Sequence, residues 1–197
     1  MIKIVITYAT DYGNTKKLAE SIASGSKTLP EAEVIIKVID EVTADEISTC
    51  DALIVGTPVH MGSPDWRIKK MIDTICSHLW MKDKLVGKVG GVFATGGGFG
   101  CGGGGCELSM LALLNNFAEL GLVIVPLPKN TPGYRFGGLQ WGPYARSMGI
   151  NMEQTGISNE SLEAAFHHGA NIARVAKALK GTTLFAKAEA TVATHEK

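Results

Sequence analysis

No run in the sequence approaches the roughly 18 consecutive apolar residues that a membrane-spanning helix needs. Net charge is missing too. The 19 Lys and Arg cancel the 19 Asp and Glu, which removes the broad electrostatic footprint of a nucleic-acid or anionic-membrane binder. Cysteine is scarce, with Cys50, Cys76, Cys101 and Cys106 alone. The spacing of Cys101 and Cys106 is not the C-x-x-C of redox thiols, and no cysteine or histidine falls into metal-ligand spacing, so no metal is expected. The G-x-x-x-x-G-K-[ST] signature is absent, which leaves nucleotide triphosphate hydrolysis without support. The apolar stretch of Met1–Thr7 is too short for a signal peptide and reads as a strand. The thiols are therefore expected to sit in a reducing cytoplasm.

What is present is a globular pattern: 197 residues, 45% hydrophobic and 19% charged, enough for one well-cored domain. Short apolar runs alternate with amphipathic stretches, as a parallel α/β sheet requires. Strands are expected at Ile2–Thr7, Val34–Ile39, Ala52–Val55, Lys88–Thr95 and Leu122–Val125. A helix capped by Asn14 or Thr15 buries Leu18, Ala19 and Ile22 and ends at Gly25. Ser63-Pro64-Asp65 opens another, with Ile68, Met71, Ile72 and Ile75 on one face. A third carries Met110, Leu113, Leu114, Phe117 and Leu120 and stops at Gly121. An irregular connection of residues 127–156 follows, then a helix from about Asn159 to Lys180. The expected organisation is a domain over residues 1–181 and a tail over 182–197 that is either poorly ordered or packed on a neighbour through Leu184 and Phe185.

In an open α/β sheet, ligands bind beyond the carboxyl ends of the strands. Three loops there are unusual. Thr10-Asp11-Tyr12-Gly13-Asn14-Thr15 joins the first strand to a helix N-terminus, where unpaired N–H groups and the dipole attract a phosphate; the plain alternative is an ordinary cap and turn. Gly56-Thr57-Pro58-Val59-His60-Met61-Gly62 presents backbone groups to the edge of a flat heterocycle, with His60 either a hydrogen-bond partner or surface. Thr95-Gly96-Gly97-Gly98-Phe99-Gly100-Cys101-Gly102-Gly103-Gly104-Gly105 is so costly to order that a backbone lying against a ligand is its best explanation. Its G-x-G-x-x-G lacks the acid that a dinucleotide site places at the end of the next strand.

Taken in order, these loops resemble the flavodoxin superfamily, and within it the WrbA-type NAD(P)H:quinone oxidoreductases. Residues 10–15 are similar to the phosphate signature [ST]-x-T-G-x-T, with Tyr12 in place of the inner Thr, and the Tyr-Gly pair resembles the WrbA form. Gly56-Thr57-Pro58 with Gly62 and Gly103-Gly104-Gly105-Cys106-Glu107 resemble its second and third loops. Leu79-Trp80, Gly121–Pro126 and Gly142-Pro143-Tyr144-Ala145 extend the likeness over roughly residues 1–180. The chain departs from it at His60, usually Arg, at Glu119-Leu120, usually a histidine pair, and in a shorter segment between the second and third strands.

The resemblance implies a flavodoxin-like, doubly wound sheet of five parallel strands in the order 2-1-3-4-5, with FMN as cofactor. It implies electron transfer from NAD(P)H to a quinone or similar small acceptor, in a homo-oligomer, dimer or tetramer. Thr10, Asp11, Tyr12, Gly13, Asn14 and Thr15 are expected at the phosphate. Pro58, Val59, His60, Met61 and Gly62, with Thr95, Gly96, Gly97 and Gly98, are expected at the ring system, and His60 and Trp80 on the substrate side. Trp141 and Tyr144 are further candidates at the opening. Two other readings stay open: a flavodoxin-type electron carrier without nicotinamide or quinone turnover, and a redox sensor using Cys101 and Cys106.

Overall fold

The three middle strands are buried along nearly their whole length, and that burial organises everything else. The computed structural model describes residues 1–99 and 103–186. Gly100, Cys101 and Gly102, and residues 187–197 of the expected tail, lie outside the described residues. Strands β1 (Ile2–Tyr8), β3 (Ala52–His60) and β5 (Val89–Gly96) carry almost continuous apolar or small residues. Such runs suit a parallel sheet covered by helices on both faces. β2 (Ala32–Val38) lies at one edge and is only half-buried. The parallel order is β2-β1-β3-β5, in register from Ile4 opposite Val34 and Ala52 to Pro58 opposite Thr95.

The fifth position is shared by two short strands. β6 (Val123–Ile124) pairs with Val89 and Gly90 at one end of β5, while β8 (Gly142–Arg146) pairs with Ala94–Gly96 at the other. Between them the chain leaves the sheet through α6 (Tyr134–Gly137) and returns as an antiparallel pair of β7 (Gly138–Leu139) with β8. The expected 2-1-3-4-5 order therefore holds with a divided fifth strand, half of which comes from the segment expected to be irregular.

Two cores flank the sheet. Helices α1 (Asn14–Ser26) and α7 (Asn159–Leu179) bury Leu18, Ile22, Ala165 and Ile172 against one face. The other face is covered by α2 (Ala44–Thr49), α3 (Trp66–Met71) and α5 (Cys106–Glu119) through Ile47, Ile68, Met110, Leu113 and Phe117. α3 continues through a π-helical turn (Ile72–Cys76) into α4 (Ser77–Trp80). No described helix is long and apolar enough to cross a membrane.

Several expected boundaries shift for identifiable reasons. Gly13, not Asn14 or Thr15, is the N-cap of α1, in a left-handed conformation at φ 81°. Gly25 does not end that helix but lies inside it, because α7 packs so close that a Cβ there would overlap the Phe166 carbonyl. Ser63 and Pro64 do not open a helix; they pair back onto His60 and Val59 as β4 (Ser63–Pro64), leaving Asp65 as the cap of α3. α2, with a Thr43/Glu46 capping box, is an element the apolar pattern did not reveal. Leu184 and Phe185 lie beside Gly87 of their own chain.

Candidate functional site

Beyond the carboxyl ends of β1, β3 and β5 the three unusual loops converge on one cleft. It encloses about 110 Å³ and is lined by Thr10, Asp11, Tyr12, Asn14, Thr15, Pro58, Val59, His60, Thr95, Gly96, Gly97, Ser147 and Met148. Loop one supplies its anion-seeking end. Gly13 has no side chain, so the first turn of α1 has no side-chain cap, and intrahelical bonding starts with Lys17 N–H to the Gly13 carbonyl. The N–H groups before it point outward with the positive end of the helix dipole behind them. Thr10 Oγ1 accepts from Gly13 N–H at 3.1 Å, which shapes the loop and leaves its own hydrogen free. Tyr12 stands three-quarters exposed at the rim.

Loop two is a hairpin. His60 pairs with Ser63 across Met61 and Gly62, whose φ angles of 49° and 78° are both positive. Two such residues are the mark of a type I′ turn, which glycine takes freely and methionine does not. Met61 is fully exposed at its tip.

Loop three packs tightly on itself, on loop two and on Met148, and a side chain at these glycines would be crowded. A Cβ on Gly105 would come within 3.1 Å of Gly62 Cα, and one on Gly104 within 3.0 Å of Gly98 N. A Cβ on Gly97 would meet Met148 Sδ at 3.2 Å. Thr95 lines the cleft and meets Thr15 there, the two hydroxyl oxygens 2.7 Å apart.

A cluster of four ionisable side chains joins loops one and two. Arg67 donates to Asp11 Oδ1 at 2.7 Å and to Asp65 Oδ2 at 2.6 Å. His60 Nε2 lies 3.0 Å from Asp11 Oδ2, and its Nδ1 3.2 Å from Asp65 Oδ2. The Asp65 side chain is completely buried and caps Arg67 N–H. Burial alone would push its carboxyl up, but the Arg67 hydrogen bonds and charge outweigh that and hold it below the ordinary carboxylate range. In turn, bonding to Asp65 raises the Arg67 guanidinium further above its already high value. Asp11, His60 and Asp65 have metal-ligand proximity, yet Arg67 already occupies both carboxylates. The arrangement is an ion-pair cluster, and both ring nitrogens of His60 are engaged in it.

The other expected residues lie elsewhere. Trp80, 42% exposed, borders a separate groove with Ile72, Ser77, Asn116 and Leu120. Trp141 and Tyr144 pack partly against the core beneath α5. Cys106 is buried at the base of α5, its thiol pushed up to about 12 by burial and then by Glu107. Burial likewise pushes Cys50 to about 11 and Cys76 to about 12. Asp65, Arg67, Ser147 and Met148 were missed in the sequence. An acid two positions before an arginine on a helix start was the only signal for the first pair.

Comparison with known proteins agrees with this geometry. Residues 5–96 match the family described as flavodoxin domain. A flavodoxin of Aquifex aeolicus (strain VF5) is 38% identical over 120 residues, 61% of this chain. That alignment spans 64% of the relative's length, just under two thirds. Among solved structures, a flavodoxin, WrbA-like protein from Agrobacterium tumefaciens superposes with a TM-score of 0.70 at 28% identity, over 91% of this chain and all of that one. A flavodoxin from the domain Archaea gives 0.65 at 19% identity, over 89% and 99%, which speaks for the fold alone.

Proposed function

We propose that this chain, which carries a flavodoxin-like domain, holds FMN in the cleft and works as an oxidoreductase. One observation carries the reading: the phosphate end of the cleft is rich in donors and poor in free acceptors. It offers first-turn N–H groups of α1, the Thr10 hydroxyl and the Thr15/Thr95 pair. The carboxylate of Asp11 nearby has both oxygens taken by Arg67 and His60. A phosphate monoester, all acceptors and negative charge, is the complement of such a set. The side-chain-free backbone of Gly96 and Gly97 lines the cleft and suits a flat ring laid against it.

FMN, when bound, supplies the electron chemistry. The chain's part is to grip and orient. Thr10, Asn14 and Thr15 hold the phosphate, and Asp11 stays neutralised in its cluster. Pro58 to Gly62 and Gly96 to Gly98 wall the ring and exclude water from one side of it. Tyr12, Met61 and Met148 border the approach that a substrate uses.

As donor and acceptor we propose NAD(P)H and a quinone or similar small molecule, taken up in turn. The ordered likeness to WrbA-type proteins and a net charge of zero, unlike the strongly acidic surface with which a carrier docks basic partners, support this. A second reading, an electron carrier without nicotinamide chemistry, is favoured by the 38% identity to a flavodoxin. An anaerobic absorbance titration of the FMN-loaded protein with NADH and NADPH, followed by benzoquinone, separates them. Fast bleaching restored stoichiometrically by the quinone is the expected result. Reduction by dithionite but by neither nucleotide would leave the carrier.

A further inference from the structure

Thr15 and Thr95 meet at the floor of the cleft, although 80 residues separate them. They are 1% and 4% exposed, and their hydroxyl oxygens are 2.7 Å apart. Neither hydroxyl has another partner among the described residues. Two hydroxyls carry two hydrogens, and only one can lie between the oxygens. The other is left over in a place where the protein provides no acceptor. Buried donors are rarely left unmet, so the surplus hydrogen marks where an acceptor belongs.

We infer that Thr95 is a positioning residue for the phosphate: its hydroxyl donates to Thr15 Oγ1 and thereby aims the Thr15 hydrogen at the ligand. This rests on the FMN reading and deepens it, because it assigns a device that selects a phosphorylated flavin over riboflavin. The direction of the relay follows from hydrogen inventory. Thr15 lies in the first turn of α1, beside the outward N–H groups where an anion sits. A fully ionised phosphate oxygen has no hydrogen to give, so the hydroxyl that meets it must donate. Thr15 then has only lone pairs to offer Thr95, and Thr95 is the donor. Thr95 is a firm anchor for that role. Its backbone is paired on both sides in the sheet, opposite Pro58 of β3 and Ala145 of β8, and its β-branched side chain has restricted χ1 freedom. The arrangement presents the Thr15 hydroxyl already oriented, so that little freedom is lost when the ligand arrives.

The test compares dissociation constants for FMN and riboflavin, by quenching of flavin fluorescence, in wild type, Thr95→Val, Thr95→Ser and Thr15→Val. Thr95→Val keeps the shape and removes the donor. It is expected to weaken FMN about tenfold, the scale of one hydrogen bond to a charged group, while riboflavin stays within about twofold. Thr95→Ser restores the FMN value. In the Thr15→Val background, Thr95→Val adds nothing, because the relay has lost its middle member. Unfolding midpoints measured alongside confirm that each variant is folded. The inference fails if Thr95→Val binds FMN as wild type does, or if it loses FMN and riboflavin equally, which would mean packing or a ring contact. A wild-type protein that binds neither flavin sinks the cofactor reading and this inference with it. One that binds FMN while Thr95→Val remains unchanged sinks the inference alone.

Discussion

At the scale of single residues, the chemistry turns on who answers whom. Asp65 is the clearest case. A fully buried carboxylate is tolerable only with partners, and it has two, Arg67 and His60. Removing the Arg67 guanidinium leaves it with His60 and the backbone N–H of residue 67. Arg67→Gln is expected to cost about 2–3 kcal/mol, below the range for breaking a fully buried pair because His60 remains and the arginine is partly exposed. For a chain of this size that is a midpoint shift of roughly 4–10 °C. Asp65→Asn together with Arg67→Gln should cost less than the two singles added, since the orphaned charge is gone. Thermal unfolding of the three variants checks both statements, and a near-neutral Arg67→Gln would mean that the cluster is only surface decoration. None of this was legible in the sequence, where His60 read as a lone loop histidine and Asp65 as an acid in the opening Ser63-Pro64-Asp65 of a helix. A contact between residues 11, 60, 65 and 67 exists only once β1 and β3 lie side by side. The glycines of loop three were legible, because the ordering cost of so many can be offset only by close backbone approach.

At the scale of elements, periodicity located strands and helices well, and it slipped wherever one residue was inserted or a strand was too short to show a period. The helix after loop two was expected to bury Ile68, Met71, Ile72 and Ile75. The π-helical turn adds a residue there and moves the buried face, so that Cys76 is at 0% while Ile75 is only half-buried. No periodicity rule sees such a turn. β6 was expected as Leu122–Val125 but pairs through only two residues, and β8, which pairs with β5 through three, fell in the connection expected to be irregular. The hairpin of loop two hid for another reason. Its type I′ turn asks for Asn-Gly or Gly-Gly and has Met61-Gly62 instead. A methionine at φ 49° pays a conformational cost that asparagine largely avoids. Met61→Asn is therefore expected to raise stability by about 0.5–1 kcal/mol, read in a urea titration as a higher midpoint with unchanged slope. A Met61→Asn protein less stable than wild type would show that the turn is held by contacts rather than strained.

Across the whole molecule, the sheet divides the chain into two cores, and one of them contains a titratable group with nothing to bind. His168 is completely buried on the inner face of α7, and among the described residues neither ring nitrogen has a hydrogen-bond partner. It packs so near β5 that a Cβ on Gly91 would come within 3.4 Å of its Nε2, which leaves little room for a solvating water. Burial therefore depresses it from 6.5 to about 4. The sign follows from proton counts. Between those values the unfolded chain binds a proton that the folded chain refuses, so stability is complete above about pH 6.5 and declines as pH falls toward 4. The shift corresponds to about 3 kcal/mol over that window. The carboxylates with lowered values act lower down. Glu46, at about 2 through Lys37 and Thr43, loses its contribution only as pH falls from its ordinary 4.5 toward 2. The two windows barely overlap, so they can be told apart by urea unfolding at pH 7.5, 6.5, 5.5 and 4.5. Wild type should lose most of its pH-dependent stability between 6.5 and 4.5. His168→Leu, close in volume and without polar atoms to satisfy, should be at least as stable at pH 7.5 and nearly flat down to 4.5. A His168→Leu protein that follows the wild-type curve would show that burial of His168 does not set the acid sensitivity.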